Sequence, residues 1–290
     1  LISQYFETEH IELEALPIEV DLLSRLAQQF DEPIVDSSMI PTFLISQLVE
    51  KHCKVVLGGD GGDELFGGYE HYRRVLLMKK IFKFFPQSLL SSLSYVSERT
   101  IPVGIKGKNW IQSLRTDLSY EAPLIAQHFD SAFRKKLMKE YSKDWLPIAE
   151  EIYRLNTPKN LDLLERVTRM DFYNYLAEDI LVKVDRASML NSLEVRAPFL
   201  DKHLIEFAFQ KVPSNLKADI NNKKILLKKL TSRLLPPEFD KHRKQGFSIP
   251  INNWLKKGKF RDYFYDVLLD RQTIFDQHSI NSLLIGQDKG

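Results

Sequence analysis

One cysteine in 290 residues, Cys53, rules out an internal disulfide framework and any zinc site built from several thiolates, and it suits the reducing cytoplasm. Its place after the apolar helical stretch Phe43 to His52 predicts a buried, inert side chain. An excess of one charge is lacking too. Forty-one Lys and Arg stand against 39 Asp and Glu, a formal net of +2, so no extended basic field invites nucleic acid. No apolar run approaches the length of a membrane span, and Leu1-Ile2-Ser3-Gln4-Tyr5-Phe6-Glu7 has neither the basic start nor the apolar stretch of a secretory leader. The seven histidines form no His-Glu-x-x-His or paired Cys/His spacing, which argues against a protein-held zinc. Repeats and low-complexity tracts are also missing. What remains is a chain with 43% hydrophobic content, able to bury a large core and near the size at which one core splits into two.

The first part has an α/β pattern. His10 to Leu16 alternates like a strand, whereas Val20, Leu22, Leu23, Leu26 and Phe30 recur at helical spacing. A second helix is expected from Ile40 to His52, with Pro41 tolerated in its first turn. Lys54 to Leu57 is short and apolar, the pattern of a buried strand. This alternation suggests a parallel sheet whose ligand sits at the carboxyl ends of its strands. From Arg73 onward amphipathic helices dominate, so the expected organisation is a partial nucleotide-binding core over 1–72 and a mostly helical part over 73–290. Charge density rises again between Glu178 and Asp201. Its members Lys183, Asp185, Arg186, Glu194 and Arg196 are expected to form a structural ion-pair network.

Chemistry concentrates just after the short strand. Four glycines and three acids lie between Leu57 and Leu65, in the order Gly58-Gly59-Asp60-Gly61-Gly62-Asp63-Glu64. Glycines let backbone turn sharply and approach a ligand closely, while carboxylates suit a hydrated divalent cation or a proton transfer. Familiar phosphate and calcium templates do not fit. A Gly-Lys-Ser/Thr ending is missing, Glu64 stands where a dinucleotide fingerprint has its third glycine, and Gly62 breaks the alternating acids of a calcium loop.

Leu57 to Tyr69 resembles the loop in the synthetase domain of glutamine-dependent asparagine synthetases of the B type, and four further segments agree in order. These are Asp31 to Ser38, Asp179 to Met189 continuing through Ser192 to Asp201, Lys224 to Lys228, and Arg243 to Pro250. The resemblance implies an α/β fold with a parallel sheet of the adenine nucleotide alpha hydrolase-like (PP-loop ATPase) type, incomplete here and followed by a helical portion. It implies ATP and Mg2+ as cofactors, and a carboxylate substrate, aspartate above all, activated as an acyl-adenylate and then amidated with ammonia from glutamine. Leu57, Gly58 and Gly59 then lie against ATP. Asp60 falls where the family carries an acid, often Glu, linked to amination of the adenylate; a cap on the following turn is its bland alternative. Asp63 corresponds to the acid that meets pyrophosphate through magnesium. Lys224 corresponds to the lysine that stabilises charge on the phosphate, although its lysine-rich surroundings alone suggest a solvated helical face.

Two family parts are missing from these residues: the Ser-Gly-Gly-x-Asp-Ser pyrophosphate loop and the glutaminase domain with its cysteine nucleophile. Two strands of the sheet are expected to be absent with them, from between the two that remain. Leu1 is no initiator and the surviving motifs are intact, which favours a piece of a longer polypeptide, inactive by itself, that holds both missing parts. A partner subunit, a non-catalytic binding or scaffold remnant, and a relative that amidates a sugar acid or cyclises a peptide are the alternatives. The acceptor and the oligomeric state, a homodimer among the options, stay open.

Overall fold

The structure, a computed structural model, describes residues 1–14, 19–30, 32, 36–102, 105–123, 129, 131–140, 152–153, 155, 157–240, 249–270 and 273–289. The chain divides into two compact units, one made of Leu1–Ile81 and Asn156–Ile249, the other of Phe82–Leu155 and Pro250–Gly290. The expected division fell at residue 72; by contact, the chain leaves the first unit after Ile81 and re-enters it at Asn156.

In the first unit, α1 (Ile2–Tyr5) is a single turn, and α2 (Asp21–Gln29) buries Leu22 and Leu26, one turn apart. Helix α3 (Met39–Val49) buries Ile40 and Phe43 and carries Pro41 in its first turn, where the missing N–H has no helical partner to lose. Both helices match the apolar spacing. The strand expected at His10 to Leu16 does not form: residues 8–14 have no regular structure, and 15–18 lie outside the described residues. Alternation alone does not make a strand. Its backbone needs a neighbour, and no strand pairs with this segment among the described residues, leaving Ile11 and Leu13 exposed.

Strand β1 (Val55–Leu57) pairs in parallel with β2 (Glu194–Arg196), Val56 lying opposite Val195. A strand from the charged segment joins one edge of β1; the gap expected between β1 and the strand at His10 to Leu16 has no second strand among the described residues to bound it. The expectation of a buried β1 also fails, since Val55 is 42% and Leu57 74% exposed. The sheet has only these two strands among the described residues, so only one edge of β1 is hydrogen-bonded. Cys53 is exposed, not buried. Helix α3 stops at Val49, and the His52 and Cys53 amides bond back to the Val49 carbonyl, turning the chain outward before β1.

Helix α4 (Gly62–Phe66) lies between Gly61 (φ 87) and Gly67 (φ 69), both left-handed. Leu65 and Phe66 enter a core with Ala208 and Val212, flanked by Phe172, Phe199 and Leu204. The Phe66 and Phe199 rings meet edge to face at 6.1 Å. Helix α5 (Glu70–Phe82) follows and buries Tyr72, Val75 and Met78. The helix Leu163–Asp171 continues through a π-helical stretch, Phe172–Ile180, into Leu181–Met189. Beside it, Lys217 is fully buried and its Nζ donates to Glu165 Oε1 at 2.5 Å.

In the second unit, the helix Gln87–Thr100 turns Ser94 and Ser97 inward, and Ser94 Oγ donates to the Gln112 carbonyl at 2.7 Å. A second core gathers Leu137, Ile280 and Leu284 with Phe129, Phe133 and Phe275 around them. No helix among the described residues is long and apolar enough to cross a membrane.

Candidate active site

The glycine and acid loop leaves β1 at its carboxyl end. The Gly58 amide donates to the Arg196 carbonyl at 2.7 Å, extending the sheet one residue beyond Leu57. A Cβ on Gly58 would stand 2.9 Å from Asp60 Oδ2 and 3.2 Å from Val195 Cγ1, so a side chain there would have to displace the Asp60 carboxylate. Gly59 differs: a Cβ would meet no heavy atom within 4 Å. At Gly61 a Cβ would overlap the Leu200 side chain, and the left-handed φ adds strain for any other residue. The loop is thus pressed onto Phe199 and Leu200 on one side and open at Gly59.

Asp60 is half-buried. Burial raises its carboxyl above the usual carboxylate range, and the nearby Lys183 ammonium and its own amide only partly offset that. The N-cap of helix α4 is Gly61, the residue after Asp60. Asp63 lies in the first turn of α4, and its Oδ1 is 2.8 Å from Lys224 Nζ. Lys224 precedes the helix Ile225–Leu234 with φ 51, a left-handed conformation uncommon for a residue with a side chain. Gly68 is packed against this pair: its amide donates to the Asp63 carbonyl at 2.8 Å, and a Cβ there would overlap the Asp63 carboxylate and Lys224 Cε. The folded chain thus joins Asp63 and Lys224, keeps Asp60 within electrostatic reach of Lys183, and leaves Leu57 and Gly59 open to solvent.

The charged segment forms the expected ion pairs in part and also reaches outside itself. Arg196 pairs with Glu194 at the surface, Arg186 donates to the Gln29 carbonyl, and Lys183 reaches Asp36 at 2.6 Å. Burial raises the Asp36 carboxyl, but hydrogen bonds from Lys183 and from Ser38 outweigh it and hold the group below its usual range. Asp36 was visible only as part of the segment Asp31 to Ser38, of which 31 and 33–35 lie outside the described residues, as do 243–248 of the segment Arg243 to Pro250.

Behind Asp63, Glu64 is 1% exposed, and Tyr69 Oη donates to its Oε1 at 2.5 Å. Burial raises the Glu64 carboxyl, and the Tyr69 hydrogen bond does not cancel the effect. Burial and the Glu64 carboxyl push the Tyr69 phenol far up, so it stays a donor. The Tyr69 ring stacks on His71 at 5.3 Å, and His71 Nε2 is 2.7 Å from Asp171 Oδ2. Sequence reasoning passed over Glu64 as an acid without a role. Its spacing of five residues from Tyr69 is no helical repeat, and only the turn at Gly67 and Gly68 brings the two together.

A short parallel sheet with a glycine and acid loop at its carboxyl end, faced by the lysine that precedes Ile225–Leu234, agrees with an incomplete α/β fold of the PP-loop type. The asparagine synthase family matches the chain over residues 1–290, and the protein belongs to that family, within the PP-loop ATPase superfamily. Among curated proteins it is 32% identical over 252 residues to asparagine synthetase [glutamine-hydrolyzing] 1 of Bacillus subtilis (strain 168), covering 87% of this chain and 39% of that protein. A putative asparagine synthetase [glutamine-hydrolyzing] of Mycobacterium bovis is 32% identical over 85% of this chain and 37% of its own length. Putative asparagine synthetase [glutamine-hydrolyzing] 2 of Methanocaldococcus jannaschii is 31% identical over 69% of this chain and 38% of its own length. The chain thus spans under two fifths of the length of these relatives. No solved structure matches it.

Proposed function

We propose that these residues form one side of the active site of an ATP-dependent amide-forming ligase, with aspartate as acceptor and ammonia drawn from glutamine. The observation that carries this reading is the Asp63–Lys224 pair set beside the open Gly59 at the carboxyl end of β1. An oxygen of the acceptor carboxylate attacks the α-phosphorus of ATP and pyrophosphate leaves, giving β-aspartyl-AMP. Ammonia then attacks the acyl carbon and AMP departs. Leu57, Gly58 and Gly59 line the nucleotide, where a side chain on Gly59 would project into the space the ligand needs. The Lys224 ammonium offsets negative charge growing on the phosphate, a contribution of several kcal/mol for a preorganised cation. Asp60 takes the proton from the attacking nitrogen, a task suited to a carboxyl held above its usual range.

Among the described residues no three His, Cys, Asp or Glu side chains gather to hold a metal ion. The single carboxylate of Asp63 suits magnesium, which takes one or two carboxylates and completes its shell with phosphates and water. Asp63 is the residue that would hold it, and the ion would supply neutralisation of the departing pyrophosphate. The unpaired edge of β1, with Val55 and Leu57 exposed, is where a further strand bearing a phosphate-binding loop would add. That loop and a glutaminase domain are proposed to belong to the same full-length chain, as the greater length of the relatives allows.

The test is product analysis. The full-length protein, given aspartate, ammonia and Mg-ATP, is expected to release AMP and pyrophosphate in equal amounts. Release of ADP and inorganic phosphate would refute adenylation, and amidation of a sugar acid in place of aspartate would refute the assigned acceptor.

A further inference from the structure

The adenylation reading uses Asp60, Asp63 and Lys224 and leaves the buried Glu64 and the half-buried Tyr69 without a task. Glu64 is next to Asp63 on a helix of only five residues, bounded on both sides by left-handed glycines. A helix so short has little stiffness of its own, and its orientation depends on what it is tied to. On its apolar side Leu65 and Phe66 are anchored in the core. On its polar side the tie is the Tyr69 hydroxyl on Glu64 Oε1 at 2.5 Å. Tyr69 is itself fixed: its ring stacks on His71, which is held by Asp171 at 2.7 Å, and it meets the Tyr175 ring at 5.8 Å. Between the two ends of that hydrogen bond lies Gly68, flush against the Asp63 carboxylate and Lys224 Cε.

We propose that Tyr69 and Glu64 are positioning residues: their hydrogen bond closes the loop from Glu64 to Tyr69 and so holds Asp63 opposite Lys224 in the geometry that receives Mg-ATP. The proposal rests on the adenylation reading for what the site receives. Neither residue touches the reacting atoms. When the bond is lost, Gly68 is free to shift against Asp63, and the carboxylate and ammonium are no longer set at one separation. The consequence falls on nucleotide binding more than on the chemical step, because a bound complex can restore the geometry by using part of its binding energy.

The experiment uses the full-length protein and three variants. Tyr69→Phe removes only the hydroxyl, Glu64→Met removes the acceptor at similar volume, and Glu64→Gln keeps an acceptor oxygen. Initial rates at varied Mg-ATP, together with thermal melts, separate the cases. Tyr69→Phe and Glu64→Met are expected to raise KM for Mg-ATP about tenfold, the equivalent of one charge-assisted hydrogen bond, with kcat changed less than about twofold. Glu64→Gln is expected to restore KM to within about threefold of the parent. An unchanged KM in Tyr69→Phe overturns the proposal, as does a Glu64→Gln variant as impaired as Glu64→Met. A fall in kcat and melting temperature with KM unmoved overturns it in favour of a purely structural bond. If Tyr69→Phe does not fold, Glu64→Met against Glu64→Gln decides by the same criteria. Should the parent release ADP, the adenylation reading fails, while the KM pattern for Mg-ATP still decides the role of the hydrogen bond.

Discussion

Gly59→Ala separates what the fold requires from what a ligand requires. A Cβ at this position meets no heavy atom within 4 Å, and Gly59 is not among the left-handed glycines. The folded state therefore accepts the methyl group without strain. The unfolded chain loses freedom, which stabilises the protein by about 0.4 to 1 kcal/mol. If the nucleotide lies against this backbone, the same methyl intrudes on a close contact and costs about 1 to 3 kcal/mol, as overpacking does elsewhere. That corresponds to a roughly 5- to 150-fold weaker Kd for Mg-ATP. Urea denaturation and calorimetric titration of one full-length preparation give both quantities. The expected result is a variant as stable as its parent or slightly more so, with clearly weakened nucleotide binding. A stable variant that binds Mg-ATP like the parent refutes the placement of ATP against Gly59. Gly58→Ala cannot make this distinction, because its methyl already meets Asp60 and Val195 in the folded chain.

Two further outcomes follow from buried charge. The Glu64 carboxyl titrates above its ordinary 4.5 because it is buried, so the folded state binds that proton more tightly than the unfolded state does. Its stabilising effect is complete below pH 4.5 and is lost as pH rises through the folded value. Melting temperatures across this range should fall more with rising pH in the parent than in Glu64→Gln, and parallel curves would contradict the assignment. Lys217→Met strips the fully buried ammonium from Glu165 and leaves a carboxylate with Arg169 Nε at 3.6 Å. A loss of about 3 kcal/mol is expected in urea denaturation, near the low end for a broken buried pair because Arg169 remains. A loss below about 1 kcal/mol would show that water reaches Glu165.

Helices were the most legible part of the fold. The recurrence of Leu22 and Leu26, and of Ile40 and Phe43, was enough because a helix satisfies its backbone internally and needs only an apolar stripe. Strands were less legible. His10 to Glu14 alternates yet forms none, whereas Glu194-Val195-Arg196, with two charged residues in three, forms one because Val55 to Leu57 supplies its hydrogen bonds. Burial failed for a related reason. Apolar composition suggested that Leu57 and Cys53 lie inside, but burial depends on what packs against a residue, and neither is covered here.

The order of residues determined the family, the presence of the helices α2 and α3 and the identity of the glycine and acid loop, because these depend on residue type and short spacing. Only the tertiary structure decided which residues meet. The resemblance put Lys224 at the site against the bland reading of its lysine-rich run, and the structure sets its ammonium on Asp63 from a left-handed turn. Lys183 looked like a member of a local network and instead crosses to Asp36. Glu64 gained a partner only when the turn at Gly67 and Gly68 folded Tyr69 back onto it. Such pairs join positions far apart in the chain or on opposite sides of a glycine turn, and no local periodicity encodes the approach of two side chains that packing alone brings together.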